Sequence, residues 1–296
     1  MLTRSRIAAL RRTHADWPTS QRSNVMIEHK KYSRREMLGL SAGSLLALGW
    51  WPGALRAEGE GNSGEFSFIV VNDLHYHDEK CGKYFEQVVA QMKTSKADFC
   101  LIVGDYVENG KAEQIGPTND IFKTLGIPAY GVIGNHDYLT QTDRKAYEEI
   151  FPDRLNYVFE HQRWQFLGLD TTEGQRGGST KIQPPTLQWL DDHLPKLDKK
   201  RPMIVFTHFP MGPLVPSRPL NADAFLERFK DYNLQAVFCG HFHAFTERQM
   251  RDTILTTNKC CSLFRGNHDG SKEKGYFLCQ AREGKISRAF VEVKPA

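Results

Sequence analysis

Short, nearly continuous apolar runs alternate along this chain with segments whose apolar residues return every three or four positions. Phe66–Val71 has the pattern of a buried strand, and Tyr84, Phe85, Val88, Val89 and Met92 then recur at helical spacing. Phe99–Val103 predicts a second strand, Lys111–Thr124 a helix, Ala129–Ile133 a third strand and Asp143–Ile150 a short helix. Tyr157–Phe159 and Trp164–Leu169 read as paired strands. Pro185–Leu194 carries Leu187, Trp189, Leu190 and Leu194 on a helix whose first turn tolerates proline. Met203–Phe206 and Ala236–Cys239 are further strands, with a helix over Ala222–Tyr232 between them. From about Phe245 the chain alternates in the β manner with few helix signals. The pattern predicts an α/β chain of strand–helix units, closed by antiparallel strands.

The first 57 residues break this pattern. Lys30, Lys31, Arg34 and Arg35 precede an uncharged stretch, Met37 to Leu55, rich in Gly, Ala, Leu and Ser and followed by the small residue Ala57. A basic region leading into a moderately apolar run is how an export signal reads. Ser33-Arg34-Arg35-Glu36-Met37-Leu38 resembles the twin-arginine signal, which implies the twin-arginine export machinery as a partner and an exported, periplasmic protein. An uncleaved membrane anchor is the other reading, and the Gly and Ser content makes a poor spanning helix. Residues before Met26 add nothing to such a signal, so translation is expected to start there. Residues 58–65 form a polar linker, and 66–296 are expected to be a single domain.

Composition is that of a globular protein, 40% hydrophobic and 25% charged, with 18 Phe, 10 Tyr and 5 Trp to fill a core. The formal net charge of +4 suggests a polyanionic partner until its distribution is considered. Residues 1–57 hold ten of the 39 Lys/Arg and three of the 35 Asp/Glu, so the remainder carries a net −3. No basic stripe is left for a folded face, and nucleic-acid binding is not expected. All six cysteines lie beyond the leader. Cys100 and Cys239 sit in apolar strand-like runs as expected buried thiols, and no CxxC spacing suggests a thiolate metal site.

The chemistry collects where strands end. Phe-Ile-Val-Val-Asn leads into Asp73-Leu-His75, Leu-Ile-Val into Gly104-Asp105, and Gly-Val-Ile into Gly134-Asn135-His136-Asp137. Ile-Val-Phe-Thr leads into His208, and Ala-Val-Phe-Cys-Gly into His241-Phe-His243. In an α/β sheet, ligands bind beyond the carboxyl ends of the strands. His75 to Asp105 and Asp105 to Asn135 are each 30 residues, about one strand–helix–strand unit. Each motif alone is weak, because Gly-Asp after a strand is most often a turn. Together they bring carboxylate, imidazole and amide groups from five segments to one sheet edge.

In this order the motifs resemble the calcineurin-like metallophosphoesterase family, over about residues 66–245 and more loosely to the C-terminus. Leu169-Asp170-Thr171, Leu187-Gln-Trp-Leu190 and His208-Phe-Pro210 look most like the branch containing bacterial cyclic-nucleotide phosphodiesterases. That branch often has a second His before the lone one, where Thr207 stands here. The resemblance implies a four-layer α/β/β/α sandwich and two divalent or trivalent metal ions. One ion would be held by Asp73, His75 and His243, the other by Asn135, His208 and His241, with Asp105 bridging. Oxygen and nitrogen ligands without sulfur suit Mn, Fe or Zn. Such a pair would generate a bridging hydroxide that attacks a small phosphate ester, diester or monoester, in line. His136 would protonate the leaving alkoxide, with Asp137 orienting or electrostatically supporting its imidazole.

Other residues take weaker assignments. His77 and Asp78 read as a solvated turn. Glu108 occupies the place where purple acid phosphatases carry a tyrosine ligand, three residues after the bridging aspartate. Asn109, Arg265 and His268 are candidate substrate contacts, and Arg176 and Arg218 lie in loops that could reach a phosphate. Gly266-Asn-His-Asp269-Gly is read as a loop rimming the pocket, following no parallel strand. Two other functions stay open: a catalytically silent metal-binding or scaffold protein on the same fold, and a protein phosphatase, which needs an open groove for a folded partner.

Overall fold

Three apolar layers, rather than one, organise the computed structural model, which describes residues 64–294. The twin-arginine stretch and most of the linker lie outside those residues. The first sheet has strand order β11-β10-β1-β2-β3 and the second β4-β5-β6-β7-β9-β8. In the first, β1 (Phe66–Val71), β2 (Phe99–Val103) and β3 (Ala129–Val132) run parallel, and β10 (Lys274–Arg282) and β11 (Lys285–Val293) extend it antiparallel. In the second, β5 (Trp164–Leu169), β6 (Met203–Thr207), β7 (Leu234–Cys239) and β9 (Thr253–Thr257) are parallel. Antiparallel β4 (Asn156–His161) and β8 (Thr246–Met250) form its edges.

Strand alternation explains the layering. Ile69, Val71, Cys100 and Ile102 face outward against α1 (Glu79–Thr94) and α2 (Ala112–Lys123). Their neighbours Phe68, Val70, Phe99 and Leu101 face inward and meet Phe166, Phe206 and Phe238 of the second sheet. On the far side, Leu167, Val205 and Val237 pack against Leu190 of α4 (Pro184–His193) and Phe225 of α5 (Ala222–Glu227). Three interfaces require four layers, the α/β/β/α sandwich expected. The inner layer is mostly aromatic: Phe68 stacks on Phe99 at 5.2 Å and Phe159 on Phe166 at 4.8 Å. Such a pair stabilises by about 0.5–1.5 kcal/mol beyond its buried area.

Strands buried on both faces, such as β6, were legible as continuous apolar runs. The helix expected over Ala222–Tyr232 stops at Glu227, because the following residues close tighter turns, with Lys230 N bonding Glu227 O and Tyr232 N bonding Phe229 O. The helix expected over Asp143–Ile150 begins at Lys145 as α3 (Lys145–Ile150), where the Asp143 carboxylate accepts from the Lys145 N–H. All six cysteines are free and buried, as read for Cys100 and Cys239.

Candidate metal centre

The carboxyl ends of β1, β2, β3, β6 and β7 open on one edge of the sandwich, and there the backbone turns sharply. Asp73, His75, Asp105 and His241 have φ of 53°, 49°, 51° and 63°. This left-handed region is uncommon outside glycine but tolerated best by Asp, Asn and His. The turn lets residues that would alternate along a strand converge. The first two loops hold each other in this shape: Leu74 and His75 N–H groups both donate to Asp105 O, at 2.9 and 3.0 Å. Two glycines make room. A Cβ on Gly134 would lie 2.1 Å from Asp105 Oδ1, and one on Gly104 (φ 81°) would lie 2.3 Å from His208 Nδ1.

All seven expected ligands meet. His75 Nε2, His243 Nε2 and Asp73 Oδ1 form one group, with His75 and His243 3.3 Å apart and Asp73 3.4 Å from His243. His208 Nε2 and His241 Nδ1 form a second group around Asn135 Oδ1, at 3.1 and 3.0 Å. Asp105 faces both: Oδ1 lies 3.3 Å from His208 Nε2 and Oδ2 lies 3.5 Å from His75 Nε2.

Each of the four rings is gripped from behind. His208 Nδ1 bonds Val103 O at 3.2 Å, His241 Nε2 bonds Gly177 O at 2.7 Å and His243 Nδ1 bonds Gly266 O at 3.1 Å. His75 Nδ1 lies 3.1 Å from Glu108 Oε2. These oxygens only accept, so the far nitrogens carry protons, and a cation displacing the second proton would meet lone pairs on the near nitrogens. The electrostatics call for positive charge there. Burial pushes His208 down, but Asp105 carries it up to about 9; burial opposes His243 likewise, and Asp73 carries it up to about 11. Burial alone would raise Asp73 and Asp105, yet these histidines hold both carboxyls below their ordinary range. Lone pairs converging on buried carboxylates fit two cations, and a sulfur-free donor set fits Mn, Fe or Zn.

His136 follows Asn135 in the short 3-10 turn Asn135–Asp137, and its N–H donates to Asp105 Oδ1 at 2.9 Å. Its ring meets His75 edge-on at 4.8 Å and its Nδ1 bonds the Glu108 carbonyl at 3.0 Å. Asp137 does not serve as the expected orienter. Its carboxylate accepts from Val107 N–H at 3.1 Å and Gly134 N–H at 2.8 Å, bracing the ligand loops, and burial pushes its carboxyl up to about 8.

The loop after Asn258 differs from expectation in origin. It follows β9, which runs parallel to β7, so it emerges on the ligand edge instead of trailing away. Its Gly266 carbonyl orients His243, and the His268 ring stacks on His243 at 4.7 Å. Arg265 pairs with Glu108 through both nitrogen–oxygen contacts, Nε to Oε2 at 3.0 Å. Asn109 is exposed on the rim beside His136. Arg176 is engaged by Glu173 of its own loop, and Arg218 by Asp223 in the first turn of α5. Thr207 bonds Thr171 Oγ1 at 2.7 Å and Leu169 O at 2.8 Å, so it ties β6 to β5. Asp78 caps α1, accepting from Lys80 and Cys81 N–H groups. Glu108 was missed as an orienting group: its only signal was a carboxylate three residues after Asp105.

Residues 66–245 match the family model described as calcineurin-like phosphoesterase. Among curated proteins the chain is 26% identical over 172 residues to a probable glycerophosphodiester phosphodiesterase of Arcobacter nitrofigilis, covering 55% of this chain and 62% of that one. It is also 26% identical over 208 residues to a probable cyclic nucleotide phosphodiesterase of Moraxella catarrhalis, covering 62% of this chain and 73% of that one. The first match therefore spans less than two thirds of its relative. Among solved structures, a dimetal phosphatase from Danio rerio superposes with a TM-score of 0.56 at 12% identity, over 77% of this chain and 99% of that one, a likeness of fold.

Proposed function

The chain belongs to the calcineurin-like phosphoesterases, and from that membership we propose that it hydrolyses a phosphodiester with the help of two metal ions. The observation that carries this reading is the convergence of Asp73, His75, Asp105, Asn135, His208, His241 and His243 on one buried cluster. Asp73, His75 and His243 would hold one cation and Asn135, His208 and His241 the other, Asp105 serving both. Bound there, the pair supplies Lewis-acid neutralisation of the phosphoryl oxygens and an activated water.

The chain's own groups do the rest. His136, held at Nδ1 by the Glu108 carbonyl and lining the open cavity beside the cluster, would donate a proton from Nε2 to the leaving oxygen. The water oxygen bonds to phosphorus as the P–O bond to the leaving alcohol breaks; the alkoxide takes the His136 proton, and the proton released by the water passes to solvent, from which His136 is reprotonated. The products are an alcohol and a phosphomonoester.

A diester is favoured over a monoester by the charge around the cluster. Arg265, the guanidinium that lines the cavity beside His75, is already paired with Glu108. The curated relatives, named as phosphodiesterases, point the same way. The leader sequence supports export through the twin-arginine route, which moves proteins folded with metal in place. The test is turnover by the Mn-loaded protein of bis-p-nitrophenyl phosphate against p-nitrophenyl phosphate. Preference for the diester is expected. Preference for the monoester would make the protein a phosphatase, and hydrolysis of neither ester would favour a metal-binding scaffold.

A further inference from the structure

Two cavities open beside the cluster, separated by Glu108 and Asn109, which line both. They differ in chemistry. The first, 540 Å³, contains His136 with Lys111, Gln175 and Leu139. The second, 610 Å³, contains His75 with His77, Lys80, Phe264 and Arg265. The proton donor stands in the first, so the departing oxygen and its alcohol belong there. The remaining ester substituent of a diester leaves phosphorus in another direction, and the second cavity adjoins the same cluster.

Phe264 gives that second cavity its character. The ring is 58% exposed, and its aromatic neighbour is His77, edge-on at 6.4 Å. An aromatic face left in water is an unmet gain of apolar contact. The lining is formally balanced: Arg265 is paired with Glu108, and Lys80 is matched in number by Asp78, whose carboxylate lies 3.5 Å from His77. A lining without net charge favours no second anionic group, while a flat uncharged ring would cover Phe264.

We propose that the Phe264 cavity is the subsite for the retained ester substituent, and that it selects diesters whose retained group is an uncharged aromatic or similarly flat ring. This rests on the diester reading above. The leaving alcohol, by contrast, meets polar groups: the Lys111 ammonium, half exposed with its nearest carboxylate 4.0 Å away, and the Gln175 amide. The two halves of the substrate are thus read by different chemistry.

The test holds the leaving group constant. Phenyl p-nitrophenyl phosphate and methyl p-nitrophenyl phosphate both release p-nitrophenol but retain phenyl or methyl. With the full-length Mn-loaded protein, the ratio of kcat/KM for the phenyl over the methyl ester is measured in wild type, Phe264→Ala and Phe264→Trp. Loss of one aromatic contact is expected to lower the ratio about 5-fold in Phe264→Ala, through KM, and Phe264→Trp should keep it. Leu139→Ala, in the other cavity, should leave the ratio at its wild-type value. An unchanged ratio in Phe264→Ala, or one lowered equally by Leu139→Ala, overturns the subsite. Failure of wild type to turn over either ester overturns the diester reading and the subsite with it.

Discussion

The Nε2 atoms of His75 and His243 face each other at 3.3 Å although 168 residues separate them in the chain. Glu108 holds the far side of one ring and Gly266 O the far side of the other, so neither ring can turn its lone pair away. Without metal a proton on His243 can bridge the two nitrogens; a metal ion between them and Asp73 would take its place. His243→Ala is therefore expected to reduce bound Mn from two ions per chain to one, read by elemental analysis after desalting. Retention of two ions would remove His243 from the ligand set.

Glu108→Gln keeps the side chain's shape but removes its charge. Groups that orient a ligating histidine commonly change metal affinity 10–100-fold. A loss of about that size is expected in Mn titrations, restricted to the ion held by His75. Glu108→Asp, one methylene shorter, should recover little of it.

Glu108 also gives the metal-free protein a pH signature. Burial would raise its carboxyl, but hydrogen bonds from His75 and Arg265 carry it down to about 2 from an ordinary 4.5. A carboxyl depressed in the folded state binds its proton later than in the unfolded chain. Its stabilising contribution is full above 4.5 and is lost as pH falls towards 2. Urea unfolding at pH 6 and pH 3 should show a steeper acid loss in wild type than in Glu108→Gln. Equal slopes would mean that the pair with Arg265 adds nothing to folding.

His136→Ala should leave both metal ions bound, since its ring accepts no place among the seven ligands. Turnover of a diester with an alkyl leaving group is expected to fall about 10²–10⁴-fold. The loss should be smaller with p-nitrophenolate, which departs without a proton. Equal losses on both esters would mean that His136 acts in some way other than proton donation.

Gly134→Ala probes the packing behind the motifs. Its Cβ would enter within 2.1 Å of Asp105 Oδ1 and 2.2 Å of Asp105 N. Displacement of Asp105 should cost about 1–3 kcal/mol in folding stability and weaken both metal sites together. Loss of stability with both ions retained would show that the loop absorbs the methyl elsewhere.

The seven converging residues were legible because each motif sits where a continuous apolar strand stops, and strand ends share one edge of a sheet. The inner face of Phe68, Phe99, Phe166 and Phe206 was legible as strand composition, though not as a stacked layer, since ring contacts join distant segments. Glu108 was invisible as the orienter of His75 and His136, because loop geometry, not spacing, brings its carboxylate to one ring and its carbonyl to the other. Asp137 was misread for the same reason: adjacency to His136 in sequence suggested contact, while the 3-10 turn sends the carboxylate towards Val107 and Gly134. The Gly266 loop was assigned to the rim without its parallel parent, because β9 is five polar-tinged residues, Thr-Ile-Leu-Thr-Thr, that do not announce a buried strand.

Asp105 with one oxygen towards His75 and the other towards His208 is the pivot of the whole site. Electron paramagnetic resonance of the Mn-loaded protein tests it most directly. Two Mn²⁺ ions sharing that carboxylate should give an exchange-coupled spectrum at two ions per chain, replaced in Asp105→Asn by weakly bound, uncoupled Mn²⁺. A wild-type spectrum of isolated Mn²⁺, at one ion per chain or none, would contradict a dimetal centre.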